Sequence, residues 1–75
     1  MHHLQLEELL AELDRHVEDG EKDIRRQRAA VDLLTRGGRN TTDAEQLLRT
    51  FEELQSQHIE HRDRVRASYT SYRRN

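Results

Sequence analysis

Two seven-residue ladders, one on each side of Gly37-Gly38, constrain this chain more than any other feature. Before the glycines, Leu10, Val17, Ile24 and Val31 form one row, and Leu6, Leu13, Gly20, Gln27 and Leu34 the other. After them, Ala44, Phe51, His58, Val65 and Tyr72 form one row, and Leu47, Leu54, His61 and Ser68 the other. Alternating steps of three and four keep each pair of rows on one side of an α-helix, the pattern of helices that pack along a seam. No proline interrupts either ladder. The spacing predicts an all-α fold: one antiparallel two-helix hairpin, coiled-coil-like, over residues 1–75, with helices over about 4–36 and 42–73 and a turn over 37–41.

The ends of both helices carry their own signals. Glu7, Glu8 and Glu12 complement the positive end of the first helix dipole. Gly37 is placed to take the left-handed conformation that closes a helix after Arg36. Thr42 and Glu45 have the spacing of a capping box at the start of the second helix, and Arg73 and Arg74 sit at its negative end. So short a connection turns the second helix back along the first. Folding near Gly38 pairs residues whose numbers add to about 78, which sets Gly20 opposite His58, Ile24 opposite Leu54 and Val17 opposite His61.

Charge agrees with that topology. Residues 1–23 carry two basic and eight acidic side chains, net −6, and residues 24–40 five basic and one acidic, net +4. Residues 41–60 carry one basic and five acidic, net −4, and residues 61–75 five basic and one acidic, net +4. An antiparallel fold sets each acidic segment beside a basic one, whereas a parallel fold opposes like charges.

A hairpin of this composition has little to bury. Hydrophobic residues are 32% of the chain and charged residues 37%, a balance that suits exposed helices with a narrow apolar seam. Leu9, Leu33, Leu48 and Ile59 lie off the strict seam and widen the apolar face, which fits helices that meet more than one neighbour. The pattern predicts a homodimer in which two hairpins form a four-helix bundle, with an unidentified protein partner as the alternative. The residues expected at that interface are Leu9, Leu10, Val17, Ile24, Val31, Leu33, Leu48, Phe51, Leu54 and Ile59.

Few residues carry chemistry. With no glycine-rich phosphate loop and no serine in an elbow context, the chain is expected to be neither an enzyme nor a cofactor binder. His58 and His61, with His16 brought near by the register, are the candidates for a metal- or pH-responsive sensor. The Glu-x-x-His spacing of di-iron bundles is missing, so packed seam histidines are the expectation and no metal site is assigned. Arg25, Arg26, Arg28, Arg62, Arg64 and Arg66, beside Tyr69 and Tyr72, invite a nucleic-acid reading. The net charge of −2 and the facing acidic segments argue against it. A membrane role is not expected, because no apolar run approaches the ~20 residues of a spanning helix. The chain has no cysteine, and its N-terminus lacks the basic-then-apolar order of a signal peptide. A soluble cytoplasmic protein is the expectation, with His2 and His3 set aside as residues that need not be native.

Three stretches also carry a resemblance: Arg15-His16-Val17-Glu18-Asp19-Gly20-Glu21-Lys22-Asp23-Ile24-Arg25-Arg26-Gln27-Arg28, then Thr41 through Gln55, then His58-Ile59-Glu60-His61-Arg62-Asp63-Arg64. Over about residues 9–66 the chain resembles small uncharacterised helical-hairpin proteins of α-proteobacteria, especially rhizobia and their relatives. The resemblance implies a bacterial cytoplasmic origin and the same hairpin order. It carries over no activity, ligand or catalytic residue. His16, Gln27, His58 and Arg62 fall within the matching stretches, where the resemblance implies a shared seam as readily as a shared ligand. The function expected is a small regulatory or protein-interaction module that presents helical surface.

Overall fold

The computed structural model describes residues 2–74, and the side chains of residues 5–73. Those residues form two helices, α1 (His2–Arg36) and α2 (Thr42–Arg74), of 35 and 33 residues. The helices lie antiparallel in a rod of 58 × 14 × 13 Å. Gln27 near the turn bonds to Ala44, and Glu7 near the open end bonds to Tyr69, so the packing runs nearly the whole length. The side chains of His2, His3 and Arg74 lie outside the described range.

The turn lies between Arg36 and Thr42, but its left-handed residue and its capping group differ from the sequence expectation. Gly38, not Gly37, takes the left-handed conformation, at φ 67°. Its N–H donates to the Thr35 carbonyl at 3.1 Å, and the Arg39 N–H donates to the Leu34 carbonyl at 2.9 Å. This is the paired bonding of a Schellman motif, in which the residue after the C-cap must tolerate positive φ. Gly37 is the C-cap itself, still bonded to the Leu33 carbonyl at 3.1 Å. At the start of α2 the expected Thr42–Glu45 box is replaced. Asn40 Oδ1 accepts the Thr42 N–H at 2.9 Å, and the Thr41 carbonyl accepts the first helical bond, from Glu45 N–H, at 2.8 Å. Asparagine performs this local bonding well, so the cap is built before the helix begins.

Both rows of α1 face α2 as the ladder predicts. Leu13 and Val17 are buried, and Leu6, Leu10, Gly20, Ile24, Gln27, Val31 and Leu34 are half-buried. On α2 the row of Ala44, Phe51, His58 and Val65 also faces the seam. The second row is corrected. Leu47, Leu54, His61 and Ser68 are exposed, and the seam is lined instead by Leu48, Gln55, Arg62 and Tyr69, each one residue later. With the Ala44 row kept, that single step of the other row turns the centre of the buried face by about 50° around the helix axis. It also changes the partner of Gly20, which meets Gln55 rather than His58.

Gln55 explains the shift. Its Nε2 donates to the Val17 carbonyl at 2.8 Å, and the residue is only 6% exposed. Gln27 does the same from the other helix, donating Nε2 to the Ala44 carbonyl at 2.9 Å. Two glutamines thus cross the seam in opposite senses, each capping a backbone carbonyl of the facing helix. A buried amide is costly without partners, and these bonds offset much of that cost.

Charge pairing follows the antiparallel expectation. Arg28 meets Glu52 at 3.0 Å, and Asp14 receives Arg66 at 3.0 Å and Arg62 at 3.9 Å. These pairs are largely exposed and each contributes about 0–1 kcal/mol, so they favour one topology more than they stabilise it.

Candidate functional site

The middle of the hairpin holds its most unusual geometry. Gly20 sits mid-helix, where glycine costs about 1 kcal/mol relative to alanine. A Cβ built there would overlap Gln55 Oε1 and lie 2.8 Å from Gln55 Cδ. The missing side chain therefore lets the glutamine lie against α1 in the space a Cβ would fill.

Beside this crossing the helices leave two shallow, adjoining depressions. One, of about 110 Å³, is lined by Gly20, Asp23, Phe51, Leu54, Gln55 and His58. The other, of about 280 Å³, is lined by His16, Asp19, Gly20, Asp23 and His58. His16 and His58 approach across the seam with ring centroids 5.9 Å apart and planes inclined at 46°. Among the described residues, two buried side-chain polar atoms lack a hydrogen-bond partner, and both are here: Gln55 Oε1 and His58 Nδ1.

Of the three histidines singled out by sequence, two are brought together. His61 belongs to the row that rotated outward and is exposed. Among the described residues no group of three or more His, Cys, Asp or Glu is gathered as a metal site.

The two long edges of the hairpin differ. The interhelical ion pairs Arg28–Glu52 and Asp14–Arg66 line one edge. The other edge carries the depressions, with His16, Asp19, Asp23 and Leu54. Leu47, one heptad before Leu54, shares that row, and both are 44% exposed. Leu33, 69% exposed, projects from the same side of α1 at the turn end by its helical position.

No family model, curated protein or solved structure matches the chain.

The residues expected at an interface divide sharply. Val17 lies between the two helices and is closed to any partner. Leu9, Leu10, Ile24, Val31, Leu48, Phe51 and Ile59 are half-buried, while Leu33 and Leu54 stand out. Leu47 was assigned by its spacing to the seam and is instead on the surface. The arginines named for nucleic acid are partly engaged: Arg28 by Glu52, Arg66 by Asp14, and Arg62 by Asp14 and Asp63. Arg26 lies 3.9 Å from Asp23, and Arg25, Arg26 and Arg64 are all exposed. Tyr69 packs at the open end, donating its hydroxyl to Glu7 Oε1, with Arg73 over its ring at 5.8 Å. That bond to a carboxylate favours the neutral phenol and raises the Tyr69 pKa. Among the described residues no helix is long and apolar enough to cross a membrane.

Proposed function

We propose that this protein is a small non-enzymatic interaction module that works by self-association, two hairpins pairing through the edge that carries Leu33, Leu47 and Leu54. The observation that carries the reading is exposed area. The accessible surface is 5978 Å² for a chain of 9.0 kDa. A compact monomer of that mass exposes about 4,900 Å² by the usual scaling, so the hairpin carries an excess of roughly 1,100 Å². A stable protein interface removes about 800 Å² from each partner. One pairing therefore brings the surface into the ordinary range, and among the described residues only Leu13 and Val17 are buried apolar residues without it.

The choice of edge follows from the same geometry. The ion-pair edge is tied across the two helices by Arg28–Glu52 and Asp14–Arg66, while on the leucine edge the pair Asp23–Arg26, at 3.9 Å, lies within α1. A second copy offers the same leucines in a twofold arrangement, and twofold dimers are the commonest closed assemblies. Sedimentation equilibrium across the micromolar range tests this directly. A mass near twice 9.0 kDa, with a melting temperature that rises with concentration, supports it. A mass of 9.0 kDa at every concentration overturns it.

A further inference from the structure

We infer that His16 and His58 form a clamp for a borderline divalent cation of the zinc class, bridging α1 and α2 beside Gly20. The inference is independent of self-association. Two imidazoles sharing one tetrahedral zinc at bonds of about 2.1 Å hold their ring centroids roughly 5 Å apart. The observed separation is 5.9 Å, and His16 is exposed and unconfined by packing. The clamp therefore requires a rotation of the His16 side chain that shortens this separation by about 1 Å. Asp19 and Asp23 line the same depression and add negative charge where the cation enters.

The buried atoms supply a second observation. His58 lines the depression and its Nδ1 is buried without a partner, so the clamp takes the metal on Nε2. A metal on Nε2 fixes the proton on Nδ1, and ligating histidines hold that N–H on an outer acceptor. The other orphaned buried atom among the described residues is an acceptor, Gln55 Oε1, three residues earlier on the same face of α2. Both orphaned atoms therefore sit at the place where the two histidines meet, beside Gly20. The protein supplies two ligands and water the remainder, since no third His, Cys, Asp or Glu is gathered with them. Imidazole ligands select the zinc, copper and nickel group over magnesium or calcium.

The test is a thermal melt with zinc ions at fixed protein concentration. His2 and His3 could bind metal by themselves, so it is made in a His2→Ala, His3→Ala background. Excess zinc is expected to raise the melting temperature by on the order of 10 °C, because a ligand specific to the folded form stabilises it. His16→Ala, a change at an exposed position, should abolish the rise while leaving helix content intact, and His61→Ala should keep it. Magnesium should do nothing. No rise in that background, or a rise that His16→Ala leaves unchanged, overturns the inference.

Discussion

Gln55 lies across Gly20, with its Nε2 bonded to the Val17 carbonyl at 2.8 Å and its Oε1 filling the space that a Cβ at position 20 would need. The pair fixes the local register of the hairpin, since Gly20 is the one glycine of α1 and the place where a Cβ would collide with Gln55. Gly20→Ala should gain helix propensity, about 1 kcal/mol, yet lose more by displacing a buried side chain, at about 1–3 kcal/mol. In a Gln55→Ala background the clash is gone, and the same change should stabilise by about 1 kcal/mol. Urea melts at one protein concentration give the cycle, and a coupling near zero would remove the register role of this pair.

The two turn glycines should answer differently to the same substitution. Gly38→Ala forces a side chain into positive φ and should cost about 1–2 kcal/mol, although open space surrounds the position. Gly37 does not share that conformation, and a Cβ there meets only ordinary contacts, the nearest at 3.5 Å. Gly37→Ala should be neutral or stabilising by up to about 1 kcal/mol through the unfolded chain. Equal losses at both positions would contradict the Schellman geometry.

Tyr69 gives the open end a dependence on alkaline pH. Its pKa is raised above the ordinary 10.0, first by the hydrogen bond to Glu7. A group whose folded pKa is raised contributes stability below the unfolded value, and that contribution is lost as pH climbs through the folded one. The Glu7–Tyr69 contact should therefore be intact at neutral pH and open only beyond pH 10. In Tyr72→Phe protein, titration of the phenolate absorbance should show a midpoint above 10.0, and Glu7→Gln should lower it. A midpoint insensitive to Glu7 would remove the contact.

The first helix was readable because its apolar repeat has no rival: Leu6, Leu10, Leu13, Val17, Ile24, Val31 and Leu34 agree on one face. The second helix offers two overlapping ladders. Leu47 and Leu54 make the greasier row, while Leu48, Gln55, Arg62 and Tyr69 make the row that packs. Hydrophobicity alone prefers the former. What decides is a contact far apart in sequence, a glycine on α1 that admits a glutamine from α2. The signal for it was a mid-helix glycine and seam-facing Gln27, both of which predict a polar crossing. The same shift turns His61 out to the surface, so of the three histidines the sequence places two together and misplaces one. The left-handed residue is Gly38 and not Gly37, since the two glycines are identical until backbone bonding distinguishes them.

The leucines displaced from the seam are the surface on which self-association depends. Leu47→Glu and Leu54→Glu change exposed positions, so the hairpin should keep its helix content while an apolar contact becomes a repulsion of like charges. Glu substituted at Leu33, the third of the set, should act in the same direction.

Side-by-side sedimentation equilibrium of the wild-type protein and the Leu47→Glu, Leu54→Glu double variant is the most direct measurement of this account. The prediction is a dimer for the former and a folded 9.0 kDa monomer for the latter at the same high micromolar concentration. A wild-type protein that stays a compact monomer, or a double variant that still dimerises, would contradict it.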